Sequence, residues 1–398
     1  MVGPLDGILV ADLSQNVAGP FCTQILGDMG AEVIKVERPG RGDDARAWAP
    51  PFWSQESSAF MSMNRSKRSL ALDLKAPEGA EVLRRLIARA DVLVQSFRSG
   101  VAEDLGIGYA QAREINPRLV YCSITAYGER GPLKDLPGYD PLMQAYGGLM
   151  SINGHRGQPP ARVGTSIVDM GTGMWAAIGI LGALRFRERT GKGSHVVTAL
   201  FDTVLMWISY QMMGYFASGE VPQPQGSGTA MIAPYEAFPT ADGYLMIAAA
   251  SDALFARVCV ALEIPEAARD PHFADNPSRV RNHQALFDLI AGITQREKTQ
   301  PLQERLKAAG VPCAPILTID QVATESQTQA SGMLVSAPHP RIPDYRSVAL
   351  PIAWDGERPG VRRLPPLLGE HTAEVLEELG FSADEIRQLE RRKVVQNQ

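Results

Sequence analysis

The sequence predicts an α/β fold, a doubly wound and mostly parallel sheet with a second, smaller α+β domain. Three observations carry this. Short runs of consecutive apolar residues alternate with helix-spaced segments through the first 200 residues. Such continuous runs mark parallel strands covered on both faces, because a half-exposed strand would alternate apolar with polar. The length of 398 residues also exceeds one compact core at roughly 150 residues per domain.

The elements follow in order. Ile8-Leu9-Val10-Ala11 reads as a strand that stops at Asp12, and Ala18 to Met29 has helical spacing with Gly30 as its stop. Val33 to Val36 is the next strand. A helix over 77–90 leads into the strand 91–96, and a helix over 109–116 into the strand 119–124. An apolar helix over 168–188 ends in the basic run 185–189, which suits the negative end of a helix dipole. Gly191-Lys192-Gly193 turns the chain into a strand from His195 to Leu200, followed by a helix near 201–217. Residues 218–230 are rich in Gly, Pro, Gln and Ser, as linkers are. Beyond them come a strand at 244–248, helices near 252–262, 281–295 and 299–309, and a short strand at 313–316. The tail from 330 is Pro-rich and closes with an acidic-basic helix over 382–393. The expected division is a large α/β domain over 1–200, a linker over 201–224, a small domain over 225–328, and a C-terminal segment, 329–398, returning to the large domain. Ligands of a Rossmann-like sheet bind at the C-terminal ends of its strands.

Composition excludes several classes. With 39 Lys and Arg against 44 Asp and Glu, the net charge is −5, unlike a general nucleic-acid binder. The four cysteines have no C-x-x-C spacing, and the six histidines show no metal-ligand spacing, so no metal is expected. Reduced thiols in a cytoplasmic protein are the simpler reading. The first residues lack a basic leader, and neither apolar stretch, around 170–184 or 198–216, is an uninterrupted membrane span.

Several motifs have a plain and a functional reading. Gly171-Thr172-Gly173-Met174-Trp175-Ala176 matches the G-x-G-x-x-A phosphate fingerprint. It lacks the acid expected about 20 residues on, so close backbone packing at a helix start is the better account. Asp169, just before it, is either a helix N-terminal cap or a carboxylate exposed where loops meet. Arg38, Arg65, Lys67, Arg68, Lys75 and Arg98 are singly surface charges, and together a rim for a phosphorylated ligand. Gly226-Ser227-Gly228 is a flexible linker or a lid. No G-x-S-x-G elbow signals a serine triad.

The order of segments resembles the class III CoA-transferase family, which includes formyl-CoA and carnitine CoA-transferases. The matching pieces are Asp12-Leu13-Ser14 through Ala18-Gly19-Pro20, residues 30–40, Asn64 through Lys75, and Ile115 to Leu119. Pro137-Gly138-Tyr139-Asp140, Val168-Asp169-Met170, Ile232 to Tyr235 and Pro366 to Thr372 continue the series. The resemblance implies that Asp169 is the catalytic carboxylate. It implies CoA contacts at Val17, Ala18, Arg38, Leu72, Asp73, Leu74, Lys75, Ser96, Phe97, Arg98, Pro137, Gly138, Tyr139 and Asp140. It implies a glycine loop over Gly226, Ser227, Gly228 and Thr229 that shields the intermediate, and a homodimer of interlocked rings. Val17 stands where formyl-CoA transferases have glutamine, and Asp104 where they have a CoA-contacting arginine; Arg98 is expected to take the phosphate contact.

The implied reaction moves CoA between carboxylic acids, small dicarboxylates among them, through anhydride and aspartyl-CoA thioester intermediates on Asp169. CoA and acyl-CoA are substrates, with no permanently bound cofactor. Backbone N–H groups around Gly171 to Gly173, or the glycine loop, would serve the oxyanions. An ordinary aspartate is ionised at neutral pH, so no large pKa shift is required. The competing readings are an acyl-CoA racemase or an intramolecular CoA-transferase of the same fold, and a CoA-binding protein without turnover. Thr125-Ala126-Tyr127-Gly128 lacks the histidine that racemases of the family carry there.

Overall fold

A computed structural model describes residues 3–398. By its internal contacts the chain forms two units. Of the described residues, the first comprises 3–148, 163–210 and 326–398; the second comprises 149–162 and 211–325.

The first unit is built on strands β1 (Leu9–Leu13), β2 (Glu32–Glu37), β3 (Lys67–Leu72), β4 (Val92–Gln95), β5 (Val120–Thr125) and β6 (Ser194–Ala199). Their order across the sheet is 3-2-1-4-5-6, all parallel. The strand order reverses between β1 and β4, which is the topological switch point of a doubly wound sheet. The C-terminal strand Val395–Gln396 adds to the β3 edge antiparallel, opposite Leu72 and Ala71.

Helices cover both faces. Helix α1 (Ala18–Asp28) packs closely against α4 (Ile167–Thr190); α2 (Pro77–Arg89) packs on the other face, and α3 (Asp140–Tyr146) precedes α4. One core contains Leu70, Leu72, Leu83, Leu86, Ile87, Leu93 and Tyr121; the other contains Val10, Leu26, Val33, Val92, Val94, Val120 and Ile180. Neighbouring residues along each strand fall in opposite cores, the side-chain alternation of a sheet buried on both faces. Helix α4 reaches the length and hydropathy of a membrane-crossing helix, but half of its apolar window is buried inside the protein.

Strand β3 was not foreseen, because Lys67 and Arg68 read as loop charges. The fold buries both and pairs them. Lys67 Nζ meets Asp12 Oδ2 at 3.1 Å, and Arg68 meets Glu32, Glu374 and Glu378 at 2.6, 2.8 and 2.7 Å. Arg65 is likewise buried on Asp28, at 2.6 Å. These three cations therefore belong to the scaffold and not to a phosphate rim. A buried charge is tolerated only when paired and hydrogen-bonded.

The helix expected over 201–217 breaks at Ile208 into α5 (Leu200–Trp207) and a second helix, Ser209–Ser218. Residues 149–162, expected in the large domain, cluster with the second unit, as do 211–224. A helix at Thr372–Glu378 precedes the C-terminal helix, which spans Ala383–Arg391.

The second unit has an antiparallel sheet in which Gly243–Ala248 lies between Tyr235–Thr240 and Cys313–Pro315. Helices Asp252–Ala261, His283–Thr294 and Thr299–Ala308 share its core of Phe238, Leu245, Ile247, Phe255, Leu286, Ile290 and Leu302. The expected helix 281–295 starts later because Asn276–Arg281 forms its own short helix. Arg279 on that helix is fully buried and donates to Ala233 O, Phe273 O and Asp252.

Candidate active site

A cavity of about 490 Å³ opens at the switch point. Its walls are the turns that leave β1, β4 and β5, namely 15–19, 95–100 and 123–129, with Pro137 to Tyr139, Asp169 and His195. This is where a doubly wound sheet places its ligands, because loops diverge to opposite faces and leave a crevice.

The β1 turn is held from below by buried charges. Asp12 accepts from Ser14 N at 3.0 Å, from the Ser14 hydroxyl and from Thr23 Oγ1 at 2.7 Å. Burial pushes the Asp12 carboxyl up, but Lys67, Lys35 and these hydroxyls overcome that and hold it well below the usual range. Lys35 Nζ donates to Ser14 O at 3.0 Å and pairs with Asp43 Oδ2 at 2.8 Å; Asp43 in turn accepts from Asn16 N at 3.0 Å. Asn16 sits at φ 69°, a left-handed conformation that asparagine tolerates. The turn delivers Val17 to the N-cap of α1, where no side chain caps the helix. Ala18 and Gly19, the first residues of α1, line the cavity, and their N–H groups have no intrahelical acceptor; Pro20, next, has no N–H.

Asp169 occupies the first turn of α4. The cap is supplied from elsewhere: Asp140 Oδ2 accepts from Val168 N at 2.8 Å and from Asp169 N at 3.2 Å. Asp140 Oδ1 accepts from Gln144 Nε2 at 2.6 Å, and Gln144 Oε1 accepts from Val163 N at 2.8 Å. This strap fixes the entry to α4 and leaves the Asp169 carboxyl outside every hydrogen bond and ion pair among the described residues. Burial, then the Asp140 carboxylate, push the Asp169 carboxyl up to about 7. That departs from the expectation of an unshifted aspartate, because neither cause is visible in the local sequence.

Gly171 and Gly173 lie inside α4, so their N–H groups are turned into the helix ladder and cannot serve an oxyanion. Their role is close packing. A Cβ on Gly171 would meet the Trp207 ring at 2.5 Å, and one on Gly173 would meet Ala18 O at 2.5 Å.

Of the other expected residues, Val17, Ala18, Ser96, Phe97, Arg98, Pro137, Gly138 and Tyr139 line the cavity with Asp169. Asp140 is buried behind it. Arg38 is not in the lining; it is exposed, pairs with Asp44 at 2.6 Å, and touches the rim through Gln15 at 3.2 Å. Leu72 is buried in the core, while Asp73, Leu74 and Lys75 follow β3 outside the lining. Gly226 to Thr229 belong to the second unit. There Gly226 N donates to Gly154 O at 2.8 Å, Ser227 Oγ accepts from Ala237 N at 2.9 Å, and Thr229 bridges Ile232. No group of His, Cys, Asp and Glu able to hold a metal occurs among the described residues.

The lining also holds residues that sequence reasoning passed over: Gln95, Tyr109, Tyr121, Ser123 and His195. The available signal was polar residues at alternate positions of a buried strand, Tyr121 and Ser123 on β5.

A family model described as "CoA-transferase family III" matches residues 5–372. The chain is similar to a human protein named succinyl-CoA:glutarate CoA-transferase, 36% identical over 95% of this chain and 86% of that protein. An Agrobacterium fabrum succinate–glutarate CoA-transferase is 38% identical over 94% of this chain and 96% of its own length. Among solved structures, a CAIB/BAIF family protein from Brucella suis superposes with a TM-score of 0.86 at 38% identity, covering 95% of this chain and all of that one.

Proposed function

This chain belongs to CoA-transferase family III, and we propose that it moves CoA between small dicarboxylic acids of the succinate and glutarate class, with Asp169 as the covalent carrier. The observation that carries the reading is Asp169 itself: a half-buried, unpaired carboxyl on the wall of the switch-point cavity, held by its backbone and not by its side chain.

The reaction conserves the energy of the thioester. A carboxylate oxygen of Asp169 attacks the donor thioester carbonyl and expels CoA thiolate, leaving a mixed anhydride. The thiolate then attacks the Asp169 carbonyl carbon and releases the donor carboxylate, leaving an aspartyl-CoA thioester. The acceptor carboxylate attacks that carbon and expels thiolate, and the thiolate takes the acceptor acyl group and frees Asp169. No net proton is exchanged, and covalent catalysis replaces one difficult exchange with four easier ones. The orphan N–H groups at the start of α1 are the donors best placed for the oxyanions, in place of Gly171 to Gly173. CoA lies along the turns 15–19, 96–98 and 137–139, with Arg98 as the cation for its phosphates.

The active assembly is a homodimer. In its support, Met174 and Ile178 on α4 and Met206 and Trp207 on α5 are exposed, an apolar surface of the kind that association covers.

The test is mass spectrometry after incubation with a panel of acyl-CoAs and trapping with hydroxylamine. The expected product is a hydroxamate on the peptide containing Asp169, formed with succinyl-CoA or glutaryl-CoA. Full transferase activity in Asp169→Ala would overturn the mechanism.

A further inference from the structure

Two buried charges lie behind the cavity and take no part in the transfer chemistry. They are Lys35 and Asp43, whose side chains have no exposed surface and stand 2.8 Å apart. Neither is in the cavity lining. Lys35 is on β2, and Asp43 caps a short 3-10 helix, Asp44–Ala47, that leads to Trp48 on the cavity wall. Burial pushes the Lys35 ammonium down, but Asp43, Asp12 and Glu37 outweigh it and hold it above its ordinary value, so it is a cation. A buried ion pair is a poor source of stability, because desolvating both charges offsets their attraction. Its use is better read from the backbone groups it holds.

Each charge grips the β1 turn at a different point. Lys35 Nζ donates to Ser14 O at 3.0 Å. Asp43 Oδ1 accepts from Asn16 N at 3.0 Å, and the same oxygen accepts from Ala45 N at 2.9 Å. Asp43 is itself tied to the sheet. Its N–H donates to Glu37 Oε2 at 3.0 Å, and Glu37 is held by Arg46 at 2.7 and 2.8 Å and by Ser69 Oγ at 2.8 Å. One carboxylate oxygen thus joins two walls of the cavity, the 15–19 turn and the segment that carries Trp48, to the end of β2.

The turn depends on that grip. The left-handed conformation of Asn16, at φ 69°, persists only where the surroundings hold it. The turn also closes tightly on α1, since a Cβ on Gly19 would overlap the Ser14 side chain. A shift at Ser14 or Asn16 is therefore passed to Ala18 and Gly19 on the cavity wall.

Resting on the CoA-transferase reading, we infer that Asp43 is a positioning residue of the transfer reaction. Its Oδ1 sets the turn, and the turn sets where the Ala18 and Gly19 N–H groups meet the developing oxyanion. Such donors stabilise charge only where it forms, so a displacement of about 1 Å costs about 100-fold in rate.

The test compares two variants on a Lys35→Met background, so that neither carries an uncompensated buried cation. Asp43→Asn keeps an oxygen for Asn16 N and Ala45 N, and Asp43→Ala removes it. Transfer from succinyl-CoA to glutarate is assayed well below both melting temperatures, and kcat is expressed per folded molecule from circular dichroism. The expected kcat is about 10- to 100-fold lower with Asp43→Ala than with Asp43→Asn. Affinity for CoA, which the 96–98 and 137–139 turns also hold, should change far less. Gly19→Ala displaces the same turn against Ser14 without touching a buried charge, and it should lower kcat in the same way. Equal kcat in the two double variants overturns the assignment alone. So does a difference that disappears once folded protein is counted, which is what a merely structural role gives, and so does wild-type kcat in Gly19→Ala. Wild-type protein that transfers CoA from no acyl-CoA in the panel overturns this assignment and the transferase reading together.

Discussion

A carboxyl that is half-buried, unpaired and close to another carboxylate is costly to ionise, and at Asp169 that cost has two measurable consequences. The first concerns rate. Only the carboxylate is nucleophilic, so kcat/KM should fall below pH 7 along a limb of one proton, and a raised basicity strengthens the attacking oxygen above it. Asp140→Asn keeps an acceptor oxygen for the α4 N–H groups but removes the neighbouring charge; its acid limb should move to lower pH, read from pH–rate profiles. The second concerns stability. A folded-state value near 7 against an unfolded value near 3.8 means the folded protein bears the cost of ionisation in full above pH 7 and not at all below about pH 4. Asp169→Asn should therefore abolish transfer while raising the melting temperature at pH 8, and the gain should vanish by pH 4. Local sequence left this residue between cap and nucleophile. The cap belongs to Asp140, 29 residues earlier in the chain, and no local pattern reports a partner at that separation.

At the scale of elements, the approach of α1 to α4 decides where the site lies. Gly173 allows that approach, since a Cβ there would meet the Ala18 carbonyl oxygen at 2.5 Å, a backbone atom that cannot swing aside. Gly173→Ala should push α1 away from α4, lowering CoA affinity and costing about 1–3 kcal/mol of stability by urea denaturation. Helical propensity alone predicts the opposite sign, because alanine is the better helix former. The alternating apolar runs and helical spacing made most of the sheet strands legible. Strand β3 was hidden, because its lysine and arginine resemble loop charges until Asp12, Glu32, Glu374 and Glu378 arrive from distant segments to neutralise them.

For the whole molecule, the exposed apolar residues of α4 and α5 bear on assembly. Ile178 is 56% exposed on a helix whose other side is core, so a charge there leaves the fold intact and penalises only association. On the proposed homodimer, the native protein should sediment as a dimer and Ile178→Glu as a monomer, with its circular dichroism unchanged. Each unit has its own core, the first on either face of the parallel sheet and the second around a three-stranded antiparallel sheet.

The amino-acid order by itself determined the α/β class, most of the strands and helices of the sheet, and, through its ordered motifs, the family, whose resemblance singles out Asp169 as the proposed carrier. Those are properties of local periodicity and of short contiguous segments. Tertiary structure alone decided which charges are buried and paired, which carboxyl caps α4, how far the Asp169 pKa rises, and that Tyr109, Tyr121 and His195 share a cavity wall with Asp169. The reason is physical. Desolvation, ion pairing and cavity shape depend on which residues meet in space, and these meet across separations of tens to hundreds of residues.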